Sequence, residues 1–390
     1  MIYLHEPNTS KDEIKNIKEC FKSNQLAFGN FINKFEEKIK KLIKTKYAVA
    51  CVNGTSALHI AIKLLNLKKN DEIIVPSLTF ISPINAIKYN NLNPIFMDSD
   101  NSFNLDQDKT INFIKICTKQ IYNKENIKIT VNKKTKKRIG AIIVVHTFGN
   151  PCNMDRLLGV CKKSNIKIIE DNAESLGSYY KVGKLKNKFT GSIGDIGTLS
   201  FNGNKIITAA GGGMIITNKK NYATKARYLI NQAKKDSQKF IHEEIGYNFR
   251  ISNIHAAIGC AQINKLNHFI KKKKNIHQIY KKKFIKCKNI KILEPLNFVS
   301  SNYWLNIIFI DFKKIKISRD QIINKMQKKN IEIRPIWYLN HLQKPYKNSQ
   351  SYKIHKSKEL VNNSLCLPSS VTLEQSKIEL IANELLKIIK

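Results

Sequence analysis

The chain lacks any apolar run long enough to cross a bilayer. Its most apolar stretch, Ala141–Val145, is far below the roughly 20 residues a membrane helix needs. The start, MIYLHEPNTSKDE, turns polar too soon for a signal peptide. A soluble cytoplasmic protein with no membrane partner is expected. Eight cysteines (Cys20, Cys51, Cys117, Cys152, Cys161, Cys260, Cys287 and Cys366) include no C-x-x-C pair. Nine scattered histidines give no H-E-x-x-H. No metal site is expected, and the thiols are read as reduced core residues. There is no internal repeat and no low-complexity linker.

Acids are scarce as well. Twenty-nine Asp and Glu stand against 68 Lys and Arg, a formal net charge of +39. The basic runs Lys133–Arg138, Lys271–Lys274 and Lys281–Lys283 are dispersed and lack interleaved aromatics. The charge is read as a lysine-coated surface, not a specific nucleic-acid interface, although it attracts anionic substrates. What is present is ordinary globular material: 390 residues, 42% hydrophobic, enough for two domains.

Ser10 and Glu13 form a capping box ahead of Ile14, Ile17 and Phe21, which predicts an amphipathic helix. Phe31, Phe35, Ile39 and Leu42 predict a second. Strands and helices then alternate. Strands are predicted at Tyr47–Val52, Ile73–Pro76, Pro94–Asp98, Ala141–His146, Ile166–Asp171, Ile196–Phe201 and Gly213–Thr217. Helices are predicted at Ala57–Leu65, Ser82–Tyr89 and Met154–Ser164. This rhythm implies an α/β fold with a mainly parallel seven-stranded sheet flanked by helices. Beyond residue 245 the pattern changes to helical, lysine-rich segments, a strand-like Tyr303–Phe312 and a helical tail, Glu374–Ile389. The expected division is a large α/β domain, 1–245, and a small α+β domain, 246–390.

Ligands bind such sheets beyond the carboxyl ends of the strands, and three features fall there. Asn53-Gly54-Thr55-Ser56 joins a strand to a helix, where free N–H groups and hydroxyls suit a phosphate. Asp171 ends a strand and can pair with a protonated ring nitrogen. Lys205 follows Ser200-Phe201-Asn202-Gly203-Asn204 and precedes Gly211-Gly212-Gly213. A desolvated lysine there can form a Schiff base. Singly these are also a turn, a helix cap and a surface charge. In that order they are the three handles that pyridoxal phosphate requires.

The chain resembles the DegT/DnrJ/StrS sugar-nucleotide aminotransferases, a group of fold-type I pyridoxal-phosphate enzymes. The matching stretches are EPNTSKDE, NGTSALHIA, VPSLTFISP, VVHTFGNPCNMD, IIEDNAESLGS, GDIGTLSFNGNKIIT, GGGMIITN, GYNFRISNIHAAIG and IEIRPIW. FNGNK followed by GGGM is similar to the branch that makes bacillosamine and legionaminic acid precursors. The resemblance implies that Lys205 carries the cofactor, that Asp171 faces the pyridine nitrogen and that Glu174 lies near the ring. It implies that Gly54, Thr55, Ser56, Ser200 and Asn202 surround the cofactor, with the hydroxyls on the phosphate, and that Phe80 covers the ring. Asn248 would reach the phosphate of a partner subunit in a homodimer with shared sites. Arg250 and Arg334 are candidates for substrate anions. The segment Gln25–Phe31 is one residue shorter than the family pattern, and Asn172 and Ala210 replace commoner small residues.

The implied reaction is transfer of the amino group of L-glutamate to C4 of a UDP- or GDP-linked 4-keto-6-deoxy-N-acetylhexosamine. The alternatives are a sugar dehydratase on the same scaffold, whose members carry histidine at the lysine position, and a non-catalytic regulatory or nucleic-acid-binding relative.

Overall fold

A computed structural model describes residues 1–236 and 238–389. Its centre is a sheet built from β1 (Tyr47–Cys51), β2 (Glu72–Pro76), β3 (Asn93–Met97), β4 (Ile139–Val145), β5 (Lys167–Asp171), β6 (Ile196–Ser200) and β7 (Gly213–Thr217). The spatial order is β1-β7-β6-β5-β4-β2-β3. Every neighbouring pair is parallel except those made by β7, which runs against both β1 and β6. The seven expected strands are all there. An eighth, Ser351–Tyr352, adds parallel to β3 at the edge. Two residues carry no readable alternation, so this strand was invisible in the sequence.

Parallel strands covered on both faces read as continuous apolar runs. All seven residues of β4 are buried, and so are all five of β2. Helix α1 spans Lys11–Lys22, α2 spans Asn30–Ile43 and α3 spans Gly54–Lys63. Phe31, Phe35, Ile39 and Ile43 of α2 are buried in the main core. Phe35 meets Phe201 with ring centroids 4.8 Å apart.

The capping box of α1 forms as expected, with Ser10 N–H donating to Glu13 Oε2 at 2.7 Å. Its apolar stripe does not behave as expected. Ile14 is 55% and Phe21 58% exposed, while Glu13 and Cys20 are the buried residues. Gln262 Nε2 and Lys265 Nζ hold the Glu13 carboxylate at 2.6 and 2.8 Å. This contact turns α1 so that its polar edge faces the helix Asn253–Asn264.

A second, antiparallel sheet has the order Ile290–Ile292, Asn306–Ile310, Ser364–Leu367, Arg334–Pro335. The helices Leu266–Phe284, Arg319–Lys328 and Gln375–Ile389 pack on it around Tyr280, Ile308, Ile322 and Leu385. The helix Gln107–Cys117 and the hairpin of Thr118–Tyr122 with Lys128–Asn132 were not predicted. The first hairpin strand is exposed after Thr118, so no buried face marks its alternation. Among the described residues no helix is long and apolar enough to cross a membrane.

Candidate active site

The carboxyl ends of β1, β2, β4, β5 and β6 open onto one cavity of about 580 Å³. Because β7 runs the other way, its amino end, Gly211–Gly212, meets the same rim. Thus segments far apart in sequence share one wall.

Asn53 caps α3, its Oδ1 accepting from Ser56 N–H at 2.8 Å. Gly54 and Thr55 line the cavity at the amino end of this helix, where unpaired N–H groups and the helix dipole favour an anion. A Cβ on Gly54 would lie 2.7 Å from Ser200 Cβ, so glycine is what lets the helix start approach the Ser200 strand end. Thr55 Oγ1 donates to Ser82 Oγ at 3.0 Å. Ser200 and Asn202 also line the cavity. Ser56 does not line it: the residue is buried, and its N–H is already taken by the Asn53 cap.

Asp171, at the end of β5, is 5% exposed. Its Oδ1 accepts from Ala173 N–H at 3.0 Å, and that is its carboxylate's one hydrogen bond among the described residues. Burial pushes the carboxyl up, opposed by the Ala173 bond and by the charges of Lys205 and His146. An under-bonded carboxylate facing a cavity suits a cationic ring nitrogen. Behind it His146 is fixed in one tautomer. Its Nδ1 accepts from Cys152 N–H at 3.0 Å, and its Nε2 therefore donates to Glu170 Oε2 at 3.0 Å.

Lys205 sits on a pinned loop. Its N–H donates to Asn202 O at 3.0 Å, Ala209 N–H to Phe201 O at 2.8 Å and Trp304 Nε1 to Asn204 O at 2.8 Å. Gly212 N–H donates to Val52 O at 2.8 Å with φ +108°, a conformation that a side chain would strain. The Lys205 side chain is 12% exposed. Its Nζ lies 3.9 Å from Glu174 Oε1 and 4.4 Å from the centroid of the Trp304 ring. Glu174 also accepts from Phe148 N–H at 2.7 Å. Burial pushes the Glu174 carboxyl up to about 7, against the opposing charge of Lys205.

Phe80 is half exposed at the mouth and meets Trp337 at 6.4 Å, edge to face. Trp337 in turn stacks on Phe148 at 4.7 Å. Arg334 lines the cavity but is ion-paired, its Nε donating to Glu332 Oε1 at 2.6 Å. Asn248 and Arg250 do not line the cavity of their own chain. They lie along the outer edge beside β1, where Asn248 bridges Asn231 and Arg250 bridges Cys51. The Arg250 guanidinium rests 4.2 Å over the exposed Phe28 ring. The sequence reading missed His5, Phe148, Trp304 and Trp337, all on the cavity wall. Phe148 lies in the stretch VVHTFGNPCNMD and Trp337 in IEIRPIW, whereas His5 and Trp304 lie in none of the matching stretches.

These residues fit pyridoxal phosphate: a glycine-led helix start, a buried carboxylate with a free edge and a nearly buried amine, all on one cavity. Comparison with known proteins agrees. The DegT/DnrJ/EryC1/StrS aminotransferase family matches residues 7–386. A GDP-perosamine synthase of Escherichia coli O157:H7 is 35% identical over 97% of this chain and 95% of its own. A UDP-4-amino-4,6-dideoxy-N-acetyl-β-L-altrosamine transaminase of Campylobacter jejuni is 31% identical over 73% and 70%. A putative sugar aminotransferase from Streptococcus pneumoniae, solved in its PMP form, superposes with a TM-score of 0.86 at 21% identity, covering 100% of this chain and 99% of that one. The expected α/β fold of the pyridoxal-phosphate aminotransferases is therefore the fold observed. This chain belongs to the DegT/DnrJ/EryC1/StrS aminotransferase family and is a pyridoxal-phosphate-dependent sugar-nucleotide aminotransferase.

Proposed function

We propose that the protein moves the amino group of L-glutamate to C4 of a UDP- or GDP-linked 4-keto-6-deoxy-N-acetylhexosamine, for surface-glycan sugars of the bacillosamine or legionaminic acid type. The observation that carries the transfer chemistry is the Lys205 amine, 3.9 Å from Glu174 and in the same cavity as Asp171. Bound pyridoxal phosphate supplies the electron sink that makes a proton on the reacting carbon removable. Asp171 would keep the ring nitrogen protonated. Lys205, freed by the donor, would carry the proton as acid and base. Gly54, Thr55 and Ser200 would hold the phosphate, Phe80 would cover the ring, and Glu174 would orient the amine.

The same reading makes the active unit a homodimer. Ile14, Phe21 and Phe28 are large apolar residues exposed on the amino-terminal segment, which a partner subunit would cover. Phe28 carries Arg250 on its face. We place Asn248 and Arg250 at the cavity of the partner subunit, which explains why neither serves its own. The enzyme would work in the cytoplasm, beside its nucleotide-sugar substrates.

FNGNK followed by GGGM supports the N-acetylated substrate, as does the resemblance to the Campylobacter transaminase. The 35% identity to a GDP-perosamine synthase favours a second reading, a GDP-linked 4-keto-6-deoxyhexose without the N-acetyl group. Product analysis by mass spectrometry and NMR separates them. Glutamate is offered with UDP- and GDP-linked 4-keto sugars, with and without N-acetyl. The first reading requires the N-acetylated ketone to give the highest kcat/KM, and preference for the GDP-linked plain hexose contradicts it.

A further inference from the structure

We propose that His5 binds the amino donor, its imidazole N–H taking the α-carboxylate on the inner wall beside Arg334. His5 lines the Lys205 cavity and also the shallow groove outside it. Both of its ring nitrogens are shut off from solvent, and neither has a hydrogen-bond partner among the described residues. Buried polar atoms are nearly always bonded, so an unbonded pair on a cavity wall calls for a ligand.

The position is fixed from outside. Ile2 N–H donates to Asn330 O at 2.7 Å, and Glu332 N–H to Ile2 O at 2.9 Å. Leu4 N–H donates to Glu332 Oε2 at 2.8 Å, Ser369 N–H to Leu4 O at 2.8 Å and Glu6 N–H to Ser370 Oγ at 2.8 Å. The backbone around His5 is thus stitched to two segments of the small sheet's layer, and its side chain takes no part in the stitching.

The surroundings select the ligand. Burial, then the charges of Lys273 and Lys205, hold the imidazole neutral, so it offers one N–H and one acceptor nitrogen. Lys273 is itself buried and donates to Trp304 O at 2.9 Å and Ser369 O at 2.7 Å, with no carboxylate partner among the described residues. Arg334 is 66% exposed and shares its charge with Glu332. Burial pushes the Lys273 amine down to about 7, so the basic groups on the wall itself are Lys205 and Arg334, and His5 is the unbonded donor beside them. A carboxylate meets that demand. His5 lines the same cavity as Lys205, the cavity that would hold the reacting carbon. In an α-amino acid the carboxylate is one bond from that carbon. In a nucleotide sugar reacting at C4, the diphosphate is across the hexose ring.

This inference rests on the reading that the donor is an α-amino acid. The test is calorimetric binding of 2-oxoglutarate to the pyridoxal-loaded protein, where it cannot turn over. His5→Ala should weaken binding roughly ten- to a hundredfold, as expected for a lost hydrogen bond to a charged group. His5→Gln, which keeps an N–H, should recover to within about threefold. 2-Oxobutyrate should lose by the same factor, and UDP and GDP should bind unchanged. In the unaltered protein the 15N signal of the His5 ring should move on adding 2-oxoglutarate and stay still with UDP. Unchanged keto-acid binding in His5→Ala, a loss confined to 2-oxoglutarate, an equal loss for UDP or GDP, or a ring signal that 2-oxoglutarate leaves in place would overturn the assignment. Wild-type protein that binds no keto acid would instead remove the α-amino-acid donor, and His5's role with it.

Discussion

Lys205 Nζ lies 3.9 Å from Glu174 Oε1, and the two are held by segments that follow neighbouring parallel strands. The lysine comes from the loop after β6 and the glutamate from the turn after β5. Neither side chain can be understood alone. Glu174 stays near half-ionised at neutral pH because burial and the lysine pull its proton in opposite directions.

Glu174 leaves a pH signature in the cofactor-free protein. Its carboxyl is raised from an ordinary 4.5 to about 7. Between those values the unfolded chain has released the proton and the folded chain has not. Stability therefore falls as pH rises through this window, by at most roughly 3–4 kcal/mol. Thermal unfolding of wild type and Glu174→Gln at pH 5, 6, 7 and 8 checks this. Wild type should lose ground relative to the variant as pH rises, and a constant difference would refute it.

Asp171→Asn should keep the cofactor attached and lose at least about 100-fold in kcat, by analogy with other lost transition-state electrostatic partners. An amide cannot hold the ring nitrogen's proton. Near-normal turnover would leave Asp171 as nothing more than the partner of Ala173 N–H.

Gly54→Val should weaken cofactor binding with little effect on the rest of the core, since its Cβ would press on Ser200 at 2.7 Å. The separation of α3 from the Ser200 strand end is what sets the phosphate cradle. Equilibrium dialysis of pyridoxal phosphate against the variant reads the loss. Unchanged affinity would move the phosphate elsewhere.

The shared-site dimer predicts complementation. Lys205→Ala and Asn248→Ala, each inactive alone, should regain up to about half of normal activity per heterodimer when subunits exchange, because one site then collects both defects. Phe21→Glu should shift sedimentation toward monomer by placing a charge on the exposed apolar stripe of α1. Mixtures that stay inactive would keep Asn248 within its own subunit.

The strands were legible because buried parallel strands are bare apolar runs between turns. Gly213–Thr217 and Ser82–Tyr89 fall where the pattern placed them. Helix α3 starts three residues earlier than predicted, at Gly54, because Asn53 caps it and the apolar pattern begins only at Ala57. The stripe on α1 misled because Glu13, an acid, is buried by Gln262 and Lys265 from a distant helix. No local pattern carries that contact. Asp171 and Gly54 could be read because one ends a strand and the other opens a helix, and Lys205 because it sits on a polar, glycine-flanked loop between two apolar strands. His5 and Trp304 could not, since long-range packing alone brings them to the wall. Asn172, noted as a departure from the family pattern, is buried with neither end of its amide bonded among the described residues. A sequence shows the substitution and not that cost.

The central claim is that Lys205 carries the cofactor. Borohydride reduction of the pyridoxal-loaded protein, followed by peptide mapping, tests it most directly. The account predicts loss of the yellow colour and a reduced pyridoxyl group on the peptide containing Lys205, with none formed in Lys205→Ala. A label on Lys273, the other buried amine felt by His5, or no fixed cofactor at all, would contradict it.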